Sequence, residues 1–207
     1  TCTFDVTVVD TTVPTITCAT APATAEATTS AGVAVSYDAA TATDIADDSV
    51  AITYSAASGS TFAIGTTQVT ATATDDAGNV STCTFDVTVA DTTVPTITCS
   101  AAPASVEAIS SSGVAVSYEP ATATDTGDGS VAITYSAASG STFAIGTTAV
   151  TATATDDSGN TATCTFDVTV VDTIVPTITC ATAPATAEAT SSAGAAVSYD
   201  AATATDI

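Results

Sequence analysis

The sequence predicts an all-β protein made of tandem β-sandwich repeats, and three observations support this fold class. The amino-acid sequence of the 207-residue chain repeats every 81 residues. Apolar and polar residues alternate within most runs, which is the pattern of half-buried strands. These runs are rich in β-branched residues, and Gly, Pro, Asp and Ser separate them. No run shows the helical periodicity of about 3.6 residues.

The cysteines show the period most directly, in two series with a spacing of 81 residues: Cys2, Cys83 and Cys164, and Cys18, Cys99 and Cys180. Each cysteine of the second series is the last residue of one of three nearly identical segments: DTTVPTITC at 10–18, DTTVPTITC at 91–99 and DTIVPTITC at 172–180. We therefore predict four segments: the last strand of a preceding repeat at 1–9, complete repeats at 10–90 and 91–171, and the first part of a further repeat at 172–207. We expect the sequence to be a stretch of a longer chain. Tandem repeats of this kind are typical of stalks, fibres and adhesive modules.

Within one repeat, the alternation predicts each strand in turn. The first complete repeat contains five such runs, at 14–18, 32–37, 49–55, 60–65 and 68–75. A sixth run, at 82–89, places Phe85, Val87 and Val89 on one face and the intervening Thr and Asp side chains on the other. The segments DDAGN (75–79) and DDSGN (156–160) predict hairpin turns with Gly in the left-handed conformation. About six or seven short strands in a repeat of this length indicate a β-sandwich of immunoglobulin-like size.

The charge of the chain excludes several classes of partner. The chain contains 22 Asp and Glu residues but no Lys, Arg or His, which gives a net charge of −22. Because nothing in it can neutralise phosphates, nucleic acid is excluded as a partner and anionic membrane surfaces are disfavoured. No apolar run approaches the roughly 20 residues of a membrane-spanning helix. A hydrophobic content of 45% in clear alternation argues for a folded chain.

The sequence also argues against an enzyme. Without His, nucleophilic catalysis of the Ser–His or Cys–His type is impossible. Paired carboxylates could indicate a glycosidase. However, the chain has no Trp and no Arg to bind a sugar, and the same carboxylates recur in each copy.

The six cysteines indicate disulfides and an oxidising, extracellular or cell-surface setting. One scheme joins the two cysteines inside each complete repeat: Cys18 with Cys83 and Cys99 with Cys164. It leaves Cys2 and Cys180 to pair with residues beyond the sequence. The alternative joins cysteines across each junction: Cys2 with Cys18, Cys83 with Cys99 and Cys164 with Cys180. We prefer the first, because the first and last strands of a sandwich run in the same direction. In the alternative, a strand and a linker would separate the cysteines by far more than the ~6 Å between Cα atoms that a disulfide needs.

Carboxylates are concentrated where the predicted strands end. The loop with Asp44, Asp47 and Asp48, the turn at 75–79 and Asp10 should share one end of the sandwich, which a Glu of the preceding repeat should approach. Converging hard oxygen ligands predict an inter-domain Ca²⁺ site that stiffens the array. The expected ligands are Glu26, Asp91, Asp125, Asp128 and Asp156 at one junction, and Glu107, Asp172 and Asp206 at the next. The alternative interpretation is that these residues only form turns and caps.

Threonine is abundant on the predicted solvent-facing positions of the strands. This abundance reflects β-propensity, sites for O-glycosylation, or ice binding by regular T-x-T rows. The expected O-glycosylation sites lie in the segment TAPATAEATTS: Thr20, Thr24, Thr28 and Thr29. Asn79 begins an N-glycosylation sequon, Asn-Val-Ser, whereas its counterpart Asn160 begins Asn-Thr-Ala and has none.

These segments resemble the hyalin repeat (HYR) family of extracellular immunoglobulin-like modules. The matching text is DTTVPTITC, ATATD, SGSTFAIGTTxVTATATDDxGN and TCTFDVTV, and it covers essentially the whole chain. The resemblance implies an adhesive or structural extracellular module, often in tandem, without catalytic residues. The second cysteine pair that is common in the family is replaced by Ala46 and Ala71 in one repeat and by Gly127 and Ala152 in the next. Each repeat is therefore expected to have one disulfide, and the loss of all basic residues is a further departure from the family.

The predicted function is structural: a rigid, disulfide-bonded extracellular rod, stalk or filament. Its expected partners are copies of itself in a fibre or array, together with attached glycans, and its only expected cofactor is Ca²⁺. The alternative function is an adhesin whose repeats bind carbohydrate or neighbouring cells. A stalk would bind through its tip alone, whereas an adhesive repeat should keep its affinity as an isolated pair.

Overall fold

The computed structural model describes residues 1–182 and 186–207, and all regular secondary structure in these residues is β. The strands of the first complete repeat are β1 (Thr15–Thr17), β2 (Ala25–Glu26), β3 (Val33–Ala34), β4 (Thr41–Thr43), β5 (Ala51–Tyr54), β6 (Thr61–Phe62), β7 (Gly65–Thr74) and β8 (Val80–Ala90). Those of the second are β9 (Thr96–Thr98), β10 (Val106–Glu107), β11 (Val114–Ala115), β12 (Thr122–Thr124), β13 (Ala132–Tyr135), β14 (Thr142–Phe143), β15 (Gly146–Thr155) and β16 (Thr161–Val171). Strands β17 (Thr177–Thr179) and β18 (Thr203–Thr205) follow. Residues 183–185 of the predicted further repeat lie outside the described residues.

Each complete repeat forms one four-stranded sheet and two strand pairs. In the first repeat the sheet has the order β2-β8-β7-β5, β1 pairs with β4, and β3 pairs with β6. The second repeat has the equivalent order β10-β16-β15-β13, with the pairs β9–β12 and β11–β14. The long strands β7 and β8 form an antiparallel hairpin, and β2 lies parallel to β8. The predicted all-β fold of tandem β-sandwich repeats is confirmed.

The hydrophobic core of each repeat lies on the inward faces that the alternation predicts. Phe85, Val87 and Val89 of β8 are buried and pack with Phe62 and Val69 in one cluster. The second repeat has the same cluster, formed by Phe143, Val150, Phe166, Val168 and Val170. The core therefore consists mainly of small β-branched side chains and a few aromatic rings.

The turn between β7 and β8 has the predicted left-handed glycine. Gly78 has a φ angle of 89°, and Gly159 in the equivalent turn has a φ angle of 90°. The N–H of Gly78 donates to the carbonyl oxygen of Asp75 at 3.2 Å, which closes the turn.

The disulfides are Cys18–Cys83 and Cys99–Cys164, with Cα atoms 5.7 Å apart in each. This is the pairing within repeats that we preferred from the sequence. Each bond joins the residue after the first strand of a repeat to its last strand, beside the hydrophobic core. Cys2 and Cys180 are exposed and form no disulfide with any described residue.

The described residues form two compact units whose limits differ from those of the repeats. The first contains Thr1–Ile97, Ala123–Ile133 and Ala154–Ala162, and the second contains Thr98–Thr122, Thr134–Thr153 and Thr163–Ile207. The segment boundaries proposed from the sequence stay a prediction. Among the described residues, no helix has the length and apolar character that crossing a membrane requires.

Candidate functional site

Two clusters of three aspartates lie at equivalent positions of the two repeats: Asp10, Asp44 and Asp75 in the first, and Asp91, Asp125 and Asp156 in the second. Within each cluster, one carboxylate oxygen per residue lies within 4.8 Å of the others. The strand order explains the first cluster, because its residues precede β1, follow β4 and follow β7. Strands β1 and β4 are antiparallel, so the start of one meets the end of the other. Carboxylates gathered in this way are the ligand type that Ca²⁺ prefers.

Backbone hydrogen bonds orient the two aspartates that precede β9 and follow β12. Asp91 Oδ1 accepts a hydrogen bond from the N–H of Thr93 at 3.1 Å. Asp125 Oδ1 accepts one from the N–H of Gly127 at 2.7 Å. Each aspartate thus forms a local turn with one oxygen, which leaves the second oxygen for other contacts.

The third aspartate of each cluster is held by the asparagine four residues later. Asn160 donates its N–H and its side-chain amide to the two oxygens of Asp156, at 2.7 and 2.8 Å, and the amide also donates to the carbonyl oxygen of Asp91 at 3.1 Å. Burial raises the pKa of Asp156, but the hydrogen bonds from Asn160 and from the turn backbone together outweigh it and place this pKa below its ordinary value. Asp75 and Asn79 repeat the arrangement, and the pKa of Asp75 is lowered for the same reasons.

The predicted N-glycosylation site, Asn79, uses its side-chain amide within the repeat. The amide donates to Asp75 Oδ2 at 2.8 Å and to the carbonyl oxygen of Asp10 at 3.4 Å. Because Asn160 makes the same contacts without a sequon, the turn accounts for the asparagine in both repeats. Glycosylation at Asn79 stays a prediction. The predicted O-glycosylation sites are all exposed, and their modification also stays a prediction: Thr20, Thr24, Thr28 and Thr29.

Glu26 does not join the aspartate cluster as we expected from the sequence. Its carboxylate accepts hydrogen bonds from the N–H and hydroxyl of Thr92, at 2.7 and 2.8 Å, and from the hydroxyl of Thr93 at 3.1 Å. The reason is that β2 lies beside the end of β8, so Glu26 reaches the residues that follow that strand. Glu107 makes the equivalent bonds to Thr173, at 2.6 and 2.8 Å. The threonine hydrogen bonds hold the pKa of both glutamates below the ordinary value.

The other predicted ligands accept hydrogen bonds from backbone N–H groups. Asp128 accepts backbone N–H groups with both oxygens, at 3.1 and 2.9 Å. Asp172 and Asp206 each accept one backbone N–H, at 3.1 and 2.9 Å. With Glu107 they form no cluster of three carboxylates in the part of the chain that the structure describes. Metal binding at these positions stays a prediction.

Glu107→Gln is expected to destabilise the protein near neutral pH and to have no effect in acid. A carboxylate whose pKa is lowered by folding stabilises the fold above the ordinary glutamate pKa, and this stabilisation is lost as the pH falls through the lowered folded pKa. Urea unfolding of wild type and variant between about pH 7 and about pH 3 would show the difference in unfolding free energy shrinking. Glu119→Gln, at an exposed position, is the control. A difference that persists unchanged in acid would contradict the prediction.

Comparison with known families identifies the repeated module. The HYR domain matches twice in tandem, over residues 9–89 and 90–170, which confirms the resemblance seen in the sequence. No curated protein matches the chain. HYR domains are extracellular tandem repeats of adhesion-like proteins, and the family is not an enzymatic one. Because the two matches cover most of its residues, the chain belongs to the HYR-domain family.

Proposed function

We propose that the protein is a structural segment of an extracellular array in which the linkers between HYR domains resist bending. The observation that carries this proposal is the hydrogen bonding of the linker at 91–93. Glu26 of the preceding domain binds Thr92 and Thr93, and Asn160 of the following domain binds the carbonyl oxygen of Asp91.

Hydrogen bonds on both sides of a short linker restrict its motion. The bonds to Glu26 are charge-assisted, and such bonds are stronger than those between neutral groups. A hinge motion at this linker would either break these hydrogen bonds or have to carry the bonded residues along. Glu107 binds Thr173 in the same way, so the glutamate side of the arrangement recurs at the next junction.

An extracellular setting is supported by the family and by the two disulfides, because such bonds persist in oxidising compartments. The charge of −22 without a single Lys, Arg or His favours soluble, separated copies in the absence of cations. The extracellular setting and the negative charge suit a structural spacer better than a surface that binds acidic partners.

Nuclear magnetic resonance relaxation on the 207-residue chain tests the proposal. The backbone ¹⁵N nuclei of the two domains are expected to report one common rotational correlation time in wild type. In the double variant Glu26→Ala/Asn160→Ala the two domains should tumble separately, because the linker has lost its contacts on both sides. Glu119→Ala is the matched control and should behave as wild type. Independent tumbling of the wild-type domains would refute the proposal.

A second candidate function is an adhesin whose repeats bind carbohydrate, and membership of a family found in adhesion-like proteins favours it. An adhesive repeat should retain measurable affinity on a glycan array when only this chain is present. It should also show a higher Tm with the bound glycan. A structural spacer should show neither effect.

A further inference from the structure

The cluster of Asp91, Asp125 and Asp156 has a feature that turn geometry does not explain. The Asp91 side chain is only 7% exposed, and its Oδ2 atom is buried without a hydrogen-bond partner. The Oδ1 atom already accepts the N–H of Thr93, so the local turn is complete without Oδ2. A buried carboxylate oxygen without a partner is destabilising, and a ligand that satisfies it would be favoured.

The chain leaves space beside this carboxylate by having glycine at position 127. A Cβ atom on Gly127 would overlap the Asp91 carboxylate. The equivalent residue of the first repeat is Ala46, and Asp10 there is half-buried, whereas Asp91 is buried. Glycine therefore lets Asp91 lie directly against the loop that carries Asp125.

The negative charge of the cluster has no counter-charge within the protein. The three carboxylates each have an oxygen within 4.8 Å of the others, and Asp156 is only 5% exposed. Like charges at this separation repel strongly when water is partly excluded. Because the chain has no Lys, Arg or His, a neutralising cation must come from solution.

We propose that Asp91, Asp125 and Asp156 bind a divalent cation of the Ca²⁺ class. Ca²⁺ takes about six to eight oxygen ligands in flexible geometry, so three carboxylates with water completing the shell form a suitable site. The ion would satisfy Asp91 Oδ2 and connect the segment between β8 and β9 to the ends of β12 and β15. Glu26 and Asp128 are left out of the proposed site, because neither carboxylate belongs to the cluster. The inference goes beyond the proposed function and does not depend on it.

The variant Asp125→Asn in the 207-residue chain tests the site, with Asp128→Asn as the matched control. Asparagine at 125 keeps an oxygen for the N–H of Gly127 but removes one charge from the cluster. Asp128 lies in the same loop and outside the cluster. Ca²⁺ binding is followed through the amide resonances of Gly127 and Asn160. The Tm is measured in Ca²⁺ and in chelator at constant ionic strength, set with NaCl.

In wild type and in Asp128→Asn, Ca²⁺ is expected to shift both resonances saturably and to raise the Tm. In Asp125→Asn the affinity should fall by at least about tenfold, because one of three charged ligands is lost. In chelator, this variant should be as stable as wild type or more stable, because one repulsive charge has gone. Ca²⁺ should therefore raise the Tm of wild type by more than it raises the Tm of Asp125→Asn.

Three results would overturn the proposal. Millimolar Ca²⁺ could leave both wild-type resonances in place, NaCl alone could produce the same shifts, or Asp128→Asn could weaken binding as much as Asp125→Asn. The last two results would indicate diffuse attraction of cations to an acidic surface. Resonances elsewhere in the spectrum that match wild type establish that each variant is folded.

Discussion

Replacing Cys18 and Cys83 together with alanine should lower the unfolding free energy of the first repeat by about 4 kcal/mol. The bond joins residues 65 positions apart, so its loss restores a large amount of chain entropy to the unfolded state. This loss is large relative to the stability that the core can supply, because the core is built mostly from small side chains, with Val69 and Val87 among the largest that are fully buried. Urea unfolding monitored through the amide resonances of Val87 and Val168 would report the two repeats separately.

Two controls separate the disulfide from a general effect of removing sulfur. Cys99→Ala with Cys164→Ala should shift the transition of the second repeat by a similar amount and leave the first unchanged. Cys2→Ser with Cys180→Ser should be neutral, because both residues are exposed and form no disulfide with the described residues. Equal destabilisation by this last pair would contradict the prediction.

Gly32→Ala should destabilise the first repeat by about 2 kcal/mol more than Gly65→Ala does. Both glycines have positive φ angles, 102° and 117°, so alanine is strained at either position. They differ in their surroundings. A Cβ atom on Gly32 would overlap the carbonyl oxygen of Phe62, whereas one on Gly65 meets nothing within 4 Å. The carbonyl belongs to β6, which pairs with β3, so it cannot move without disturbing that pair.

The second repeat offers the same comparison independently, in Gly113→Ala and Gly146→Ala. Chemical denaturation of all four variants would give two differences that should agree. If each pair of variants were equally destabilised, backbone strain alone would account for the cost, and the close approach of Gly32 to β6 would contribute nothing.

Much of the fold could be predicted because it depends on local periodicity. The alternation at 82–89 predicts the buried faces of Phe85, Val87 and Val89, and the structure buries all three. The turn sequence Asp-Asp-Ala-Gly-Asn at 75–79 predicts the left-handed Gly78. Both features follow from the backbone geometry of one strand or one turn, so they need no information about distant residues.

The candidate site could be predicted only in part. Strand topology is enough to bring Asp91, Asp125 and Asp156 to one end. It is not enough to decide that Glu26 binds Thr92 and Thr93 instead, because that choice depends on the register of β2 beside β8. The sequence Asp-Thr-Thr, which occurs at both 10–12 and 91–93, was the one feature that could have pointed to these threonines.

By itself, the sequence determined the module and its repetition, the faces of the strands and the absence of any basic counter-charge. These properties are encoded in residue types and spacings that hold whatever the loop conformations are. Only the tertiary structure decided which carboxylate oxygens are satisfied and that Asp91 Oδ2 is not. The physical reason is that a hydrogen bond forms or fails over a few tenths of an ångström, a scale that depends on how the loops pack against each other.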